Sequence, residues 1–167
     1  PDIFEKYGVK KFIDAPCGDF YWMQHVDFTY LEKYVGVDIV RDIVNKNKIR
    51  HTDSKVFFQC KDICKDKLQK ADMVMSRDCM NHLSYEDTYR ALKNFKRSGI
   101  KFMLITTFTN HQENTDLNDI IWRPLNFERP PFSFPKPIDL INEGCSEGDG
   151  AYSDKSLGLW EISKLDL

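Results

Sequence analysis

The chain has 167 residues, of which 41% are hydrophobic and 13% aromatic, enough for one globular domain with a sizeable core and too few for a second. A net charge of −2, a pI near 6.1 and the lack of any Lys/Arg block argue against generic nucleic-acid binding. No apolar run approaches the roughly 20 residues of a membrane span and the start has no signal-peptide pattern, so the chain reads as cytoplasmic.

Pro1 to Gly8 reads as the end of a helix, with Ile3, Phe4 and Tyr7 on one side and Gly8 as its stop. Because the sequence opens on Pro1 without a methionine, a trimmed start is expected. A first strand follows over Lys11 to Asp14. It leads through Ala15-Pro16-Cys17-Gly18-Asp19 into what the spacing of Phe20, Met23 and Val26 predicts to be a short helix ending near Asp27. Strand, tight loop, helix N-terminus is the form in which α/β proteins bind nucleotides. Tyr34 to Ile39 is a second strand and Val40 to Lys48 its helix. Val56 to Phe58 is a third strand, ending near Cys60 and leading into Lys61-Asp62-Ile63. Ala71 to Ser76 is a continuous apolar run of the kind a strand buried on both faces needs. Ser84 then caps a helix with an acidic first turn, which runs to Gly99, and Ile100 to Thr107 is the fifth strand.

Regularity stops there. Residues 110–137 carry five prolines (Pro124, Pro130, Pro131, Pro135 and Pro137) with Trp122, Phe127, Phe132 and Phe134 among them, a composition that suggests a functional loop or lid. Ile138 to Asn142 and Ser156 to Ile162 read as a closing antiparallel strand pair. Strands alternating with helices and then a strand pair predict an α/β, doubly wound Rossmann-like sheet with helices on both faces. Five scattered cysteines favour free thiols. Cys60 and Cys64 have no second pair to complete a zinc site, and no metal is expected.

In such a sheet the ligand sits at the carboxyl ends of the strands. Asp14, Asp38 and Asp62 stand at or just past three of those ends, with Asp78 a little beyond a fourth. Asp38 lies 20 residues past Gly18, where a carboxylate can accept both hydroxyls of a ribose; capping of the next helix is its plainer role. The loop lacks Gly-x-Gly-x-x-Gly, which disfavours dinucleotides. A ligand with one ribose, an adenine and no phosphate suits it better, its amino group on Asp14 or Asp19 and its carboxylate on backbone N–H groups or Arg77.

Ile13-Asp14-Ala15-Pro16-Cys17-Gly18-Asp19, Val35-Gly36-Val37-Asp38, Gln59-Cys60-Lys61-Asp62-Ile63 and Ala71 to Asp78 resemble, in order, the four motifs of class I S-adenosylmethionine-dependent methyltransferases. The resemblance implies a seven-stranded sheet with its last strand antiparallel and S-adenosylmethionine as cofactor. It implies Gly18 under the cofactor's methionine part, Asp38 on the ribose, and Asp62 with Ile63 beside the adenine, the Asp accepting from its exocyclic amine; Pro16, Cys17 and Ile39 count with them as cofactor-binding. Pro16 departs from the glycine of many members and stiffens the loop. Trp122-Arg123-Pro124-Leu125-Asn126 through Phe132 is similar to a subgroup of uncharacterised methyltransferases with an Asp-x-Pro-Cys-Gly-Asp first motif.

Methyl transfer from a sulfonium needs alignment and, for a hydroxyl or amine, removal of a proton. His82 follows the fourth strand and is either a general base or a histidine that orders the loop. Asp78 either orients His82 or binds the cofactor's methionine end, unless it simply pairs with Arg77. Trp22 covers the cofactor or packs in the core. His111 and Glu113 are second-choice acceptor ligands or solvated loop residues, and the aromatics Trp122, Phe127, Phe132 and Phe134, with Arg123 and Asn126 among them, either line an acceptor pocket, the reading preferred, or anchor the long loop. The acidic set Glu143, Glu147, Asp149 and Asp154 is either a cation attractor or solvated. The Asn/Asp-Pro-Pro-aromatic signature of base methylation is absent after the fourth strand. The expectation is therefore a methyltransferase acting on oxygen or nitrogen of a small molecule, with a protein or peptide acceptor, or a non-catalytic cofactor-binding module, as the alternatives.

Overall fold

The computed structural model describes residues 2–117 and 121–167. Its strands are β1 (Lys11–Asp14), β2 (Lys33–Asp38), β3 (Val56–Cys60), β4 (Met73–Ser76), β5 (Phe102–Phe108), β6 (Asp139–Asn142) and β7 (Lys155–Glu161), and its helices α1 (Asp2–Lys6), α2 (Arg41–His51) and α3 (Tyr85–Arg97). All seven strands form one sheet in the order β3-β2-β1-β4-β5-β7-β6. The first five are mutually parallel, while β7 runs antiparallel to both β5 and β6. The strand order reverses between β1 and β4, which makes the carboxyl ends of these two strands the place where a crevice opens.

Every residue of β4 and β5 is buried, as their unbroken apolar runs require of central strands. On one face Ala91, Leu92 and Phe95 of α3 pack on Ile13, Val35, Val74 and Met103. On the other, Phe4 of α1 and Val44 of α2 pack with Phe12, Tyr34, Phe58 and Met73. Ser84 caps α3 by accepting the Asp87 N–H at 3.1 Å, and Gly99, at φ 71°, stops it. Gly36 is needed for close approach: a Cβ there would lie 2.6 Å from the Phe58 ring.

Two expectations are corrected. The helix over Phe20 to Asp27 is a run of turns with only a 3₁₀ segment, Met23–His25. Asp19 accepts the Tyr21 N–H, a local turn that competes with helix, and Phe20 sits at φ 63° with its ring in the core beside Tyr34 and Phe58. Nor do Phe127, Phe132 and Phe134 line a pocket. They are buried with Leu125, Phe127 stacks on Phe134, and Phe134 meets Trp160 edge to face, in a stretch between β5 and β6 that forms no helix among the described residues. The five cysteines are free thiols. Among the described residues no helix is long and apolar enough to cross a membrane, and no cluster of His, Cys, Asp and Glu could hold a metal ion.

Candidate active site

The loop after β1 is pinned from below. The Cys17 N–H donates to the Val37 carbonyl at 2.9 Å and its thiol is buried, which raises its pKa. Gly18 adopts φ 52°, gives its N–H to Asp38 Oδ2 at 3.0 Å, and takes the Asn47 amide on its carbonyl at 2.7 Å. A Cβ at Gly18 would meet nothing within 4 Å, so open space lies above the loop. Asp19 is exposed.

Asp14 does not face that space. Its carboxyl is 2% exposed and accepts the Tyr34 hydroxyl at 2.6 Å. Burial raises its pKa to about 7, opposed by the Tyr34 hydrogen bond and reinforced by the Asp38 charge. Since the folded-state value lies above the unfolded one, the folded chain keeps a proton that the unfolded chain loses between about pH 4 and 7. The stability contributed by this group is full below that window and is lost as pH rises through 7. Urea unfolding at pH 5 and pH 8 is expected to show wild type losing on the order of 2 kcal/mol more than Asp14→Asn over that interval.

Pro16, Val37, Asp38, Ile39, Lys61, Asp62, Ile63, Cys64, Cys79 and Leu83 enclose a mostly apolar slot of about 120 Å³. Asp38 is buried beneath it. Its Oδ1 accepts the Val40 N–H at 2.9 Å and its Oδ2 the Gly18 N–H, so each oxygen keeps a lone pair. Asp62 accepts the Cys64 N–H at 2.8 Å and pairs with Lys65 at 3.1 Å. Although partial burial acts to raise its pKa, these two partners outweigh it and hold the carboxyl below the usual range. Ile39 is largely exposed and stands at the slot's mouth.

Across the end of β4 lies a polar cavity of about 330 Å³, lined by Arg77, Asp78, His82, Phe108, Trp122, Cys145, Glu147, Tyr152 and Lys155. Asp78 takes the left-handed conformation, φ 51°, fixed by its N–H to Thr106 Oγ1 at 2.8 Å and by Lys155 Nζ on its Oδ2 at 2.7 Å. Arg77 donates to Glu143, and its guanidinium lies 5.5 Å over the ring of half-exposed Trp22. Phe108, Trp122 and Tyr152 meet edge to face at 5.1 to 5.9 Å and form one wall. The Ile121 carbonyl, 2.8 Å from His82 Nδ1, can only accept, so Nδ1 carries a hydrogen and Nε2 is the acceptor of the neutral ring.

The remaining acceptor candidates lie elsewhere. Arg123 is 2% exposed and donates to the carbonyls of Thr115, Met80 and Leu83. Asn126 is buried and bonds the carbonyls of Thr109 and His111. Both hold the irregular segment together instead of reaching the cavity. Arg123→Met, which orphans those carbonyls, is expected to cost about 3 kcal/mol, read as a fall in the thermal unfolding midpoint. His111 lines a second, smaller cavity with Phe108, Pro124 and Tyr152.

Lys155, Thr106 and Tyr152 belong to no motif and were not anticipated. The signal was nonetheless present: Lys155 opens β7, and because β7 is antiparallel its first residue stands at the edge where the parallel strands end.

By sequence, no protein-family model and no curated protein matches the chain. Solved structures do match by shape. The methyltransferase domain of bacterial CtHen1-C superposes with a TM-score of 0.70 at 16% identity, over 96% of this chain and 93% of that one. Human N-acetylserotonin methyltransferase, solved with S-adenosylmethionine, gives 0.54 at 17% identity over 64% of this chain and 32% of its own. The N-methyltransferase NodS from Bradyrhizobium japonicum WM9, solved with S-adenosylhomocysteine, gives 0.53 at 9% identity over 63% and 56%. With its parallel strands, its switch point at β1 and β4 and its lone antiparallel β7, the chain has the Rossmann-like fold of the class I S-adenosylmethionine-dependent methyltransferases.

Proposed function

We propose that the chain is an S-adenosylmethionine-dependent methyltransferase that methylates an oxygen or nitrogen of a small polar acceptor. The observation that carries this reading is the division made by Arg77-Asp78-Cys79. Cys79 lines the apolar slot while Arg77 and Asp78 line the polar cavity, so a nucleoside site and an acceptor site adjoin across three residues. The neighbours solved with S-adenosylmethionine or its product support the cofactor. The residues of the slot fit it: the open space above Gly18 leaves room for a chain, and Asp38 has lone pairs left for two ribose hydroxyls. When bound, the cofactor supplies an electrophilic methyl group on a sulfonium.

In this reading Ile39, Ile63 and Leu83 cover the adenine, Asp62 accepts its exocyclic amine, and Arg77 takes the amino-acid carboxylate. His82 Nε2 receives the acceptor's proton, and Asp78, immobilised by Thr106 and Lys155, accepts a hydrogen bond from the acceptor and fixes its orientation. The aromatic wall of Phe108, Trp122 and Tyr152 supplies the apolar surface. Glu147 on the cavity's lining and the adjacent Asp149 and Asp154 disfavour a polyanionic acceptor such as RNA. The test is S-adenosylhomocysteine release on incubation with panels of sugars and other hydroxylated or amine-bearing small molecules, of peptides, and of RNA. Release with a small molecule is expected. Release with peptide or RNA alone would overturn the acceptor class, and none with any panel, while the cofactor binds, would overturn methyl transfer.

A further inference from the structure

Arg77 is held from three sides. Its Nε donates to Glu143 Oε1, its Nη1 lies 3.5 Å from Asp78 Oδ2, and its face rests on Trp22. These partners come from separate pieces of chain: Trp22 from the turns after the glycine loop, Asp78 from the end of β4 and Glu143 from just beyond β6. Glu143 is not one of a solvated acidic set. Its side chain is 12% exposed, and its Oε2 is buried with no hydrogen bond among the described residues, 3.8 Å from Lys155 Nζ.

We infer that Glu143 competes with the amino-acid carboxylate of an S-adenosyl nucleoside for the Arg77 guanidinium, and so sets how tightly that end of the nucleoside is held. The inference rests on the cofactor reading above and concerns a residue which that reading leaves without a role. A guanidinium binds a carboxylate best through paired N–H groups on one edge, and Glu143 occupies the edge that carries Nε. A second carboxylate on the same arginine meets the negative charge of the first in a partly desolvated place, where repulsion is poorly screened. Glu143 has an alternative partner ready. Its free Oε2 already points toward Lys155, and a small rotation exchanges the Arg77 bond for one to that ammonium. Arg77 and Lys155 balance Asp78 and Glu143, and a zwitterionic amino-acid group added to the four keeps the total at zero.

The experiment is calorimetric titration of wild type, Glu143→Gln, Arg77→Met and the double variant with S-adenosylhomocysteine and, separately, with 5′-methylthioadenosine, which keeps the nucleoside and lacks the amino-acid end. Glu143→Gln is expected to tighten S-adenosylhomocysteine about fivefold and to leave methylthioadenosine within about twofold. Arg77→Met is expected to weaken S-adenosylhomocysteine about tenfold, and in that background Glu143→Gln has no further effect. Unchanged or weaker binding of S-adenosylhomocysteine by Glu143→Gln, or equal tightening with and without Arg77, overturns the inference. Methylthioadenosine binding by all four proteins shows that the slot is folded in each. Failure of wild type to bind either nucleoside defeats the cofactor reading itself, and the inference with it.

Discussion

Asp38→Ala is expected to weaken S-adenosylhomocysteine binding about a hundredfold, the largest effect of any single change in the slot. The carboxylate does two things at once. It fixes the glycine loop through the Gly18 N–H and the start of the next segment through the Val40 N–H, and its remaining lone pairs face the slot. Hydrogen bonds to a charged group contribute about 1.5 to 3 kcal/mol, and about 1.4 kcal/mol is a tenfold change in affinity, so losing two ribose contacts gives this magnitude. Asp38→Asn keeps one acceptor oxygen and is expected to fall between the two. The loop has an independent anchor in the Cys17 N–H to Val37 bond, so the alanine variant should stay folded by circular dichroism. An alanine variant that binds within threefold of wild type would remove Asp38 from the site.

His82→Ala is expected to lower kcat about a hundredfold or more while leaving S-adenosylhomocysteine affinity unchanged, because general-base assistance contributes typically 10²- to 10⁴-fold and His82 lines the acceptor cavity and not the nucleoside slot. A histidine that merely orders the Ile121 segment behaves differently. Its loss would raise KM, lower the unfolding midpoint and leave kcat within a few-fold. The two roles are therefore separable in one set of measurements.

The strands were legible because burial writes itself into sequence as apolar runs. β4 and β5 are buried at every position, and the runs that predict them stop within two residues of their observed ends. The acidic strand ends were legible for the same reason, since a carboxylate that closes such a run stands at the sheet's edge. Asp14 shows the limit of that argument: its position at the end of β1 was correct, and its carboxyl turns inward to Tyr34, a partner on a neighbouring strand that local pattern does not name. Phe20, Met23 and Val26 have helical spacing, yet two tertiary demands override it, the Asp19 turn and the aromatic cluster that draws Phe20 into the core.

Arg123 and Asn126 were misread for a physical reason that extends to other loops. A long irregular segment has many buried carbonyls and no ladder to satisfy them, so its interior polar side chains are recruited as internal donors. Arg123 bonds the Thr115 carbonyl within that segment and ties it to the Met80 and Leu83 carbonyls after β4, while Asn126 bonds those of Thr109 and His111. In a proline-rich stretch, an arginine or asparagine beside aromatics is thus as good a sign of a self-satisfied fold as of a ligand. Lys155 and Glu143 were obscured by distance in the chain, 77 and 66 residues from the Asp78 and Arg77 that they bind.

The most direct test of the account is the crystal structure of the chain with S-adenosylhomocysteine. One molecule is expected, with its ribose hydroxyls on Asp38, its adenine between Ile39, Ile63 and Leu83 within reach of Asp62, and its homocysteine sulfur facing the cavity lined by Asp78 and His82. A nucleoside bound elsewhere, or one that occupies the slot with its sulfur turned away from that cavity, would contradict it.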